Sequence, residues 1–248
     1  MSNKLKVCAI IEARIGSERL PGKVLIPVLG KSILQHIIER SNSCKYVDET
    51  ILAIPDTKDN DILEKFAFEK SVTFYRGSEN NVLERFYLAA KENNSDVIVR
   101  MPGDDPLIDP EIIDLVISKH LNTDADYSCT EYPDWFLPRG LGVEVFSFKA
   151  LEKSYKESKK DYEKEHVALH FIENPNSFKF NAIVLPEHLK NPTLRLTLDT
   201  KEDLELITKI YQNLYKEGEI FKTEEVLNLI IQNPELRKIN DHIVQRIK

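Results

Sequence analysis

The sequence has 248 residues, 42% of them hydrophobic and 30% charged, with a formal net charge of −7. That length suits one α/β domain, and those fractions exclude intrinsic disorder as the main state. The acid excess argues against a nucleic-acid partner, yet a small basic pocket for a phosphorylated ligand is compatible with any net charge.

Leu5 to Ile11 is a continuous apolar run, the pattern of a strand buried on both faces. A polar segment, Glu12 to Lys23, follows it. Ser32 to Arg40 reads as an amphipathic helix, Thr50 to Ile54 as a strand, and Asn60 to Lys70 as a helix with Ile62, Leu63, Phe66 and Ala67 on one face. Val72 to Tyr75 and Asp96 to Met101 read as further strands, Val82 to Asn93 as a helix, and Pro110 to His120 as a helix with proline in its first turn. Strand and helix therefore alternate over the first 120 residues, which predicts a doubly wound α/β sheet with ligands at the carboxyl ends of its strands. The segments 12–23 and 102–109 are two such ends.

From about residue 124 the rhythm changes. Tyr127 to Thr130 and Val143 to Phe146 read as strands around a proline-containing loop, and Lys149 to Lys160 and Glu163 to Glu173 as helices. Phe178 to Leu185 and Leu194 to Leu198 read as strands, Asp203 to Tyr215 and Thr223 to Gln232 as helices. No run of 18 apolar residues predicts membrane insertion, and Val7 to Ile11 is too short for a signal peptide. Cys8, Cys44 and Cys129 form no C-x-x-C pair, so reduced thiols in a cytoplasmic protein are expected, two of them in the core.

Three segments could carry chemistry. Ala13-Arg14-Ile15-Gly16-Ser17-Glu18-Arg19-Leu20-Pro21-Gly22-Lys23 sets three cations and two glycines after a buried strand. Glycine lets backbone N–H groups approach phosphate oxygens, and Arg and Lys neutralise them. It is not a Walker A loop, because Gly16 and Gly22 enclose five residues and Val24 stands where the metal-binding hydroxyl belongs. A solvated basic loop is the alternative. Gly103-Asp104-Asp105-Pro106 could hold a divalent cation or simply turn the chain. Asp199 could be a second metal ligand, or Asp199 or Thr200 an N-cap with Asp203 in the first turn. No H-E-x-x-H, G-x-S-x-G or G-x-G-x-x-G occurs, so zinc, a nucleophile elbow and a dinucleotide cofactor are not indicated.

In order, these segments resemble the cytidylyltransferases that make CMP-activated sugar acids, most of all the SpsF-type branch. The resemblance begins with Ile11-Glu12-Ala13-Arg14-x-x-Ser17-x-Arg19-Leu20-Pro21-Gly22-Lys23 and continues through Arg76-Gly77-Ser78 to Phe86. It runs on through Gly103-Asp104-x-Pro106, Val143-Glu144-Val145-Phe146, Glu165-His166-Val167 and Arg195-Leu196-Thr197-x-Asp199-Thr200. The resemblance implies a Rossmann-like mixed sheet of the nucleotide-diphospho-sugar transferase type. The whole chain, 1–248, would be one domain: a nucleotide-binding part (1–123), an inserted acceptor and dimerisation part (about 124–190), and a return to the core (191–248). It implies CTP and a small anionic acceptor as substrates, Mg²⁺, and a homodimer.

By the same resemblance Arg14, Lys23 and Asp104 are catalytic, and Asp104 and Asp199 hold the metal. Ala13, Arg14, Ser17, Arg19, Gly22, Lys23, Asn80, Arg85 and Gly103 bind the nucleotide, and Arg139, Glu144, Glu165, His166 and Arg195 the acceptor. Four residues depart from the pattern: Glu12 for Gln or Pro, Asn81 for Asp, Gly142 for Asp and Lys164 for Arg. Glu12 and Gly142 keep open a phosphate or phosphonate acceptor or another nucleotide, and a non-catalytic nucleotide-binding protein is the alternative from another class.

Overall fold

The computed structural model describes residues 4–132 and 134–244. Its main sheet has seven strands: β1 (Val7–Glu12), β2 (Glu49–Pro55), β3 (Thr73–Gly77), β4 (Val97–Pro102), β5 (Tyr127–Cys129), β6 (Glu144–Ser147) and β7 (Phe180–Ala182). Their spatial order is β3-β2-β1-β4-β6-β5-β7. β1 to β4 are mutually parallel, β6 runs antiparallel to both β4 and β5, and β7 is parallel to β5. The sheet is thus mixed, and its order reverses between β1 and β4, where open α/β sheets bind ligands.

The helices are α1 (Ile33–Asn42), α2 (Asp61–Lys70), α3 (Val82–Glu92), α4 (Pro110–Leu121), α5 (Phe148–Glu157), α6 (Asp161–Glu165), α7 (Leu169–Glu173), α8 (Lys201–Leu214), α9 (Thr223–Gln232) and α10 (Pro234–Arg237). Alternation along β1 explains why they form two layers. Val7, Ala9 and Ile11 pack into a core with the apolar sides of α1, α2, α4, α8 and α9, whereas Cys8 and Ile10 point the other way, toward α3, α5 and α7. A strand sealed on both faces must be apolar throughout, and each buried Val or Ile contributes roughly 1.5–3 kcal/mol.

Most predicted elements form within a residue or two of their expected ends, and four expectations need correction. Leu194 to Leu198 is not a strand of the sheet. Its leucines are buried, but its backbone straps two loops together: Arg139 N donates to Leu194 O (2.9 Å), Leu196 N to Arg139 O (2.8 Å) and Leu198 N to Asp104 O (2.8 Å). The helix over Glu163–Glu173 is two helices, α6 and α7, broken at His166, whose backbone is extended (φ −118°, ψ 101°). The buried Glu163 carboxylate caps α6 by accepting from Lys159 N and Lys160 N, and the break delivers Val167 and Phe171 to the core. The strand expected over Phe178–Leu185 shortens to β7. All three cysteines are buried, not two, and burial pushes the Cys44 thiol up to about 12 and the Cys129 thiol up to about 11. Among the described residues no helix is long and apolar enough to cross a membrane.

Candidate active site

The carboxyl ends of β1 and β4 lie side by side, and both turns after them are built for close approach. Gly103 N donates to Glu12 O at 2.8 Å. A Cβ at Gly103 would sit 2.5 Å from that carbonyl and 3.1 Å from Ala13 Cβ, so only glycine fits. After β1 the loop is pinned by Ala13 N donating to Ala53 O (3.3 Å) and Ile15 N to Asn60 Oδ1 (2.9 Å). Gly22 N closes the loop on Ile15 O (3.1 Å). Gly22 takes a left-handed conformation (φ 68°) that opens a short 3₁₀ turn, Lys23–Leu25. That turn aims Lys23 back across the end of β4.

Lys23 Nζ donates to Asp104 Oδ2 (2.7 Å), Asp199 Oδ1 (2.8 Å) and Leu198 O (2.8 Å). Burial works against its charge, but the two carboxylates outweigh it and hold the Lys23 pKa above its ordinary value. The other Asp199 oxygen faces Arg19 (3.0 Å) and Arg195 (2.7 Å). Burial alone would raise this carboxyl; the cations, Lys23 foremost, bring it down to about 2. Neighbouring Asp105 goes the other way, to about 7, through burial and the charge of Asp104.

Asp199 is held by a rigid foundation. Arg195 donates to both Asp203 oxygens (2.9 and 3.0 Å), and Asp203 Oδ2 accepts from Asp199 N and Thr200 N (2.9 Å each). Thr200 is the N-cap of α8, accepting from Asp203 N at 3.2 Å, so Thr200 caps and Asp199 stays free for the site. Asn240 donates to Asp203 Oδ1 (2.9 Å) and Arg195 O (3.1 Å), tying in the far end of the chain.

The donor set suits a hard divalent cation. Asp104 and Asp199 already converge on one positive charge, the Lys23 ammonium, and Mg²⁺ characteristically takes one or two carboxylates together with phosphate oxygens. Among the described residues no group of three or more His, Cys, Asp or Glu side chains gathers to hold a metal. Remaining ligands would therefore come from substrate and water.

Arg19, Lys23, Asp104, Asp199 and Arg195 are thus brought together, with Ala13, Gly22 and Gly103 supplying the turns. Arg14 and Asn80 are exposed and Ser17 is half-buried; none of the three hydrogen-bonds into the cluster. Arg85 is buried in α3, donates to Ser78 O, and is pushed down by burial. Arg139 stacks its guanidinium 4.4 Å from the Trp135 ring centre and bridges Arg195 through its backbone. Glu165 and His166 end α6, which packs against α3. Two departing residues share one groove of about 340 Å³: Asn81 and Lys164 line it with Leu83, Tyr155, Lys156 and Ser158. Asn81 still caps α3, accepting from Glu84 N at 3.0 Å.

Sequence reasoning missed Arg100. It lies on β4 between Glu12 of β1 and Glu144 of β6, donating to both, at 2.6 Å to Glu144. Burial opposes its charge, but the two acids raise its pKa. The acid at position 12 is thereby neutralised within the sheet. The available signal was one cation interrupting an otherwise apolar strand, Val97-Ile98-Val99-Arg100-Met101.

The sequence profile of the cytidylyltransferase family matches residues 8–225. An uncharacterized protein of Methanocaldococcus jannaschii is 37% identical over 98% of this chain and 97% of its own. The spore coat polysaccharide biosynthesis protein SpsF of Bacillus subtilis is 33% identical over 91% of this chain and 94% of its own. An 8-amino-3,8-dideoxy-manno-octulosonate cytidylyltransferase of Shewanella frigidimarina is 28% identical over 83% and 85%. A solved cytidylyltransferase from Leptospira borgpetersenii superposes with a TM-score of 0.88 at 30% identity, covering 98% of this chain and 100% of that one.

Proposed function

We propose, from the premise that this chain belongs to the cytidylyltransferase family and is a CTP-dependent nucleotidyltransferase, that it transfers CMP to a sugar acid or related anionic metabolite for surface polysaccharide synthesis. The observation that carries this reading is the convergence of Lys23, Asp104 and Asp199 at the switch point of the sheet. Support for the acceptor class comes from the relatives whose names specify a coat polysaccharide and an octulosonate.

The chemistry follows from charge. An acceptor hydroxyl oxygen attacks the α-phosphorus and gives its proton to solvent, the bond to the β-phosphate oxygen breaks, and pyrophosphate leaves with the electron pair. Such a transfer needs positioning and charge neutralisation more than a covalent nucleophile. The exposed Arg14 approaches the triphosphate from the loop, and Lys23 exchanges carboxylate for phosphate partners. Asp104 and Asp199 would hold Mg²⁺, which when bound adds positive charge at the phosphate oxygens. Arg195, Asp203 and Asn240 keep Asp199 in place throughout.

Purified protein mixed with each nucleoside triphosphate, Mg²⁺ and a panel of sugar acids should release pyrophosphate with CTP. Release with no nucleotide, or with another in preference to CTP, would overturn the reading. The same reading carries a cytoplasmic homodimer assembled through the 124–190 part, where Tyr162, Ile172 and Val184 are exposed. Light scattering that returns one chain per particle would remove the dimer.

A further inference from the structure

Glu131 belongs to no motif, yet the sheet register places it at the site. The β5–β6 ladder pairs Cys129 with Glu144, and beyond it Thr130 N donates to Val143 O (3.2 Å) and Val143 N to Thr130 Oγ1 (3.0 Å). One further step sets Glu131 opposite Gly142. On the other side the last β4–β6 pair is Arg100 with Glu144, so Gly142 and Glu131 lie just beyond the end of that ladder, at the carboxyl end of the sheet where β4 runs on into Pro102, Gly103 and Asp104.

Gly142 leaves a gap, and Glu131 fills it. A Cβ at residue 142 would overlap both oxygens of the Glu131 carboxylate. Gly142 is also where the resemblance expects an aspartate, so a carboxylate lies near this position but comes from the opposite strand. Its charge is poorly matched. Glu12 and Glu144 share Arg100, and Arg139 lies over Trp135. The groups facing Glu131 are Glu144, Asp105, Arg139 and Arg100. Among the described residues no cation forms an ion pair with it and its buried Oε1 has no hydrogen-bond partner. Burial, then Glu144, push its carboxyl up to about 8. A buried acceptor atom without a donor is costly unless a ligand supplies one.

We propose that Glu131 is a specificity-determining residue of the acceptor site and receives a protonated amine carried by the acceptor. The inference rests on the cytidylyltransferase reading. A hydroxyl in the same place offers one hydrogen bond; an ammonium also brings an opposite charge that favours the ionised carboxylate, the Glu131 proton passing to solvent, and a site built around a polar partner rejects the analogue without it. Gly142 makes the room.

Two acceptors differing at one group test it: 8-amino-3,8-dideoxy-manno-octulosonate and 3-deoxy-manno-octulosonate. Pyrophosphate release with CTP should give the amine the higher kcat/KM by about tenfold or more. Glu131→Gln, nearly isosteric, should bring that ratio toward one while CTP still raises the melting temperature. Glu131→Ala with Gly142→Asp returns a carboxylate from the other strand and should recover much of the preference. An equal or reversed wild-type ratio, or an undiminished one in Glu131→Gln, would overturn the proposal. So would turnover of neither acceptor by a protein that CTP stabilises, with the cytidylyltransferase reading left standing. A protein that CTP does not stabilise overturns both.

Discussion

Replacing Lys23 by Met should move two observables in opposite directions. Met keeps the apolar stem and removes the ammonium that lies 2.7 Å from Asp104 and 2.8 Å from Asp199. At an effective permittivity near 20 each contact is roughly 6 kcal/mol of attraction, opposed by several kcal/mol for desolvating the cation. Asp199 keeps Arg19 and Arg195, and Asp104, 32% exposed, turns to water. The net loss should fall below that of a fully buried pair, at about 2–3 kcal/mol, or a melting point roughly 5–10 °C lower. The same change releases two carboxylates from their shared cation. Mg²⁺ or Mn²⁺ alone, without nucleotide, should then stabilise Lys23→Met more than wild type; a tenfold gain in metal affinity is worth about 1.4 kcal/mol. Turnover should nevertheless drop by more than about tenfold, because on the proposed reading the triphosphate loses one of its cations. Scanning fluorimetry over a metal titration and a pyrophosphate assay read both. A variant no more responsive to metal than wild type would refute the idea that Lys23 stands where a metal is held, and unimpaired turnover would refute its catalytic role.

Three further outcomes follow from the same geometry. Gly103→Ala drives a methyl into Glu12 O and Ala13, so it should cost about 2–3 kcal/mol in chemical denaturation and depress turnover as the β1 and β4 ends separate. Asp203→Asn removes the buried charge facing the Arg195 guanidinium and should cost about 3 kcal/mol, against about 1 for Thr200→Ala, which removes only the cap; equal costs would show that the charge of Asp203 adds nothing beyond a hydrogen bond. The Asp199 carboxyl has a folded-state pKa near 2, below its ordinary 3.8, so its stabilisation is complete above about pH 5 and is lost as pH falls toward 2. That contribution is at most about 2.5 kcal/mol. Asp199→Asn should flatten acid unfolding in that window, and an unchanged profile would contradict the ion-pair geometry.

The first half of the fold was legible because its signals are local. The inner strands β1 and β2 are sealed on both faces and read as apolar runs, and α1, α3 and α4 each carry their own apolar stripe and cap, such as Ser32 accepting from Gln35 N. The later part was less so. Leu194-Arg195-Leu196-Thr197-Leu198 alternates like a strand, but its partners are two loops, and loop partners leave no trace in periodicity. The break at His166 has no glycine or proline to announce it; burial of Val167 and Phe171 imposes it. In the site, Lys23, Asp104 and Asp199 were identified by motif. Arg100 and Glu131 were not, since the significance of each comes from a neighbour on another strand: Glu144 for one, Gly142 for the other.

Asn240 reaches back to Asp203 and the Arg195 carbonyl, and this orders events during synthesis. The parallel strands and the loop bearing Lys23 are made first and can pack early. The clamp that fixes Asp199 needs a residue near the opposite end of the sequence. A nascent chain still short of Asn240 already carries Arg19 and Lys23, while Asp199, one of the two acids paired with Lys23, lacks full support. Full order around Asp199 is therefore among the last features this polypeptide acquires, although every strand of the sheet precedes Asn240 in the chain.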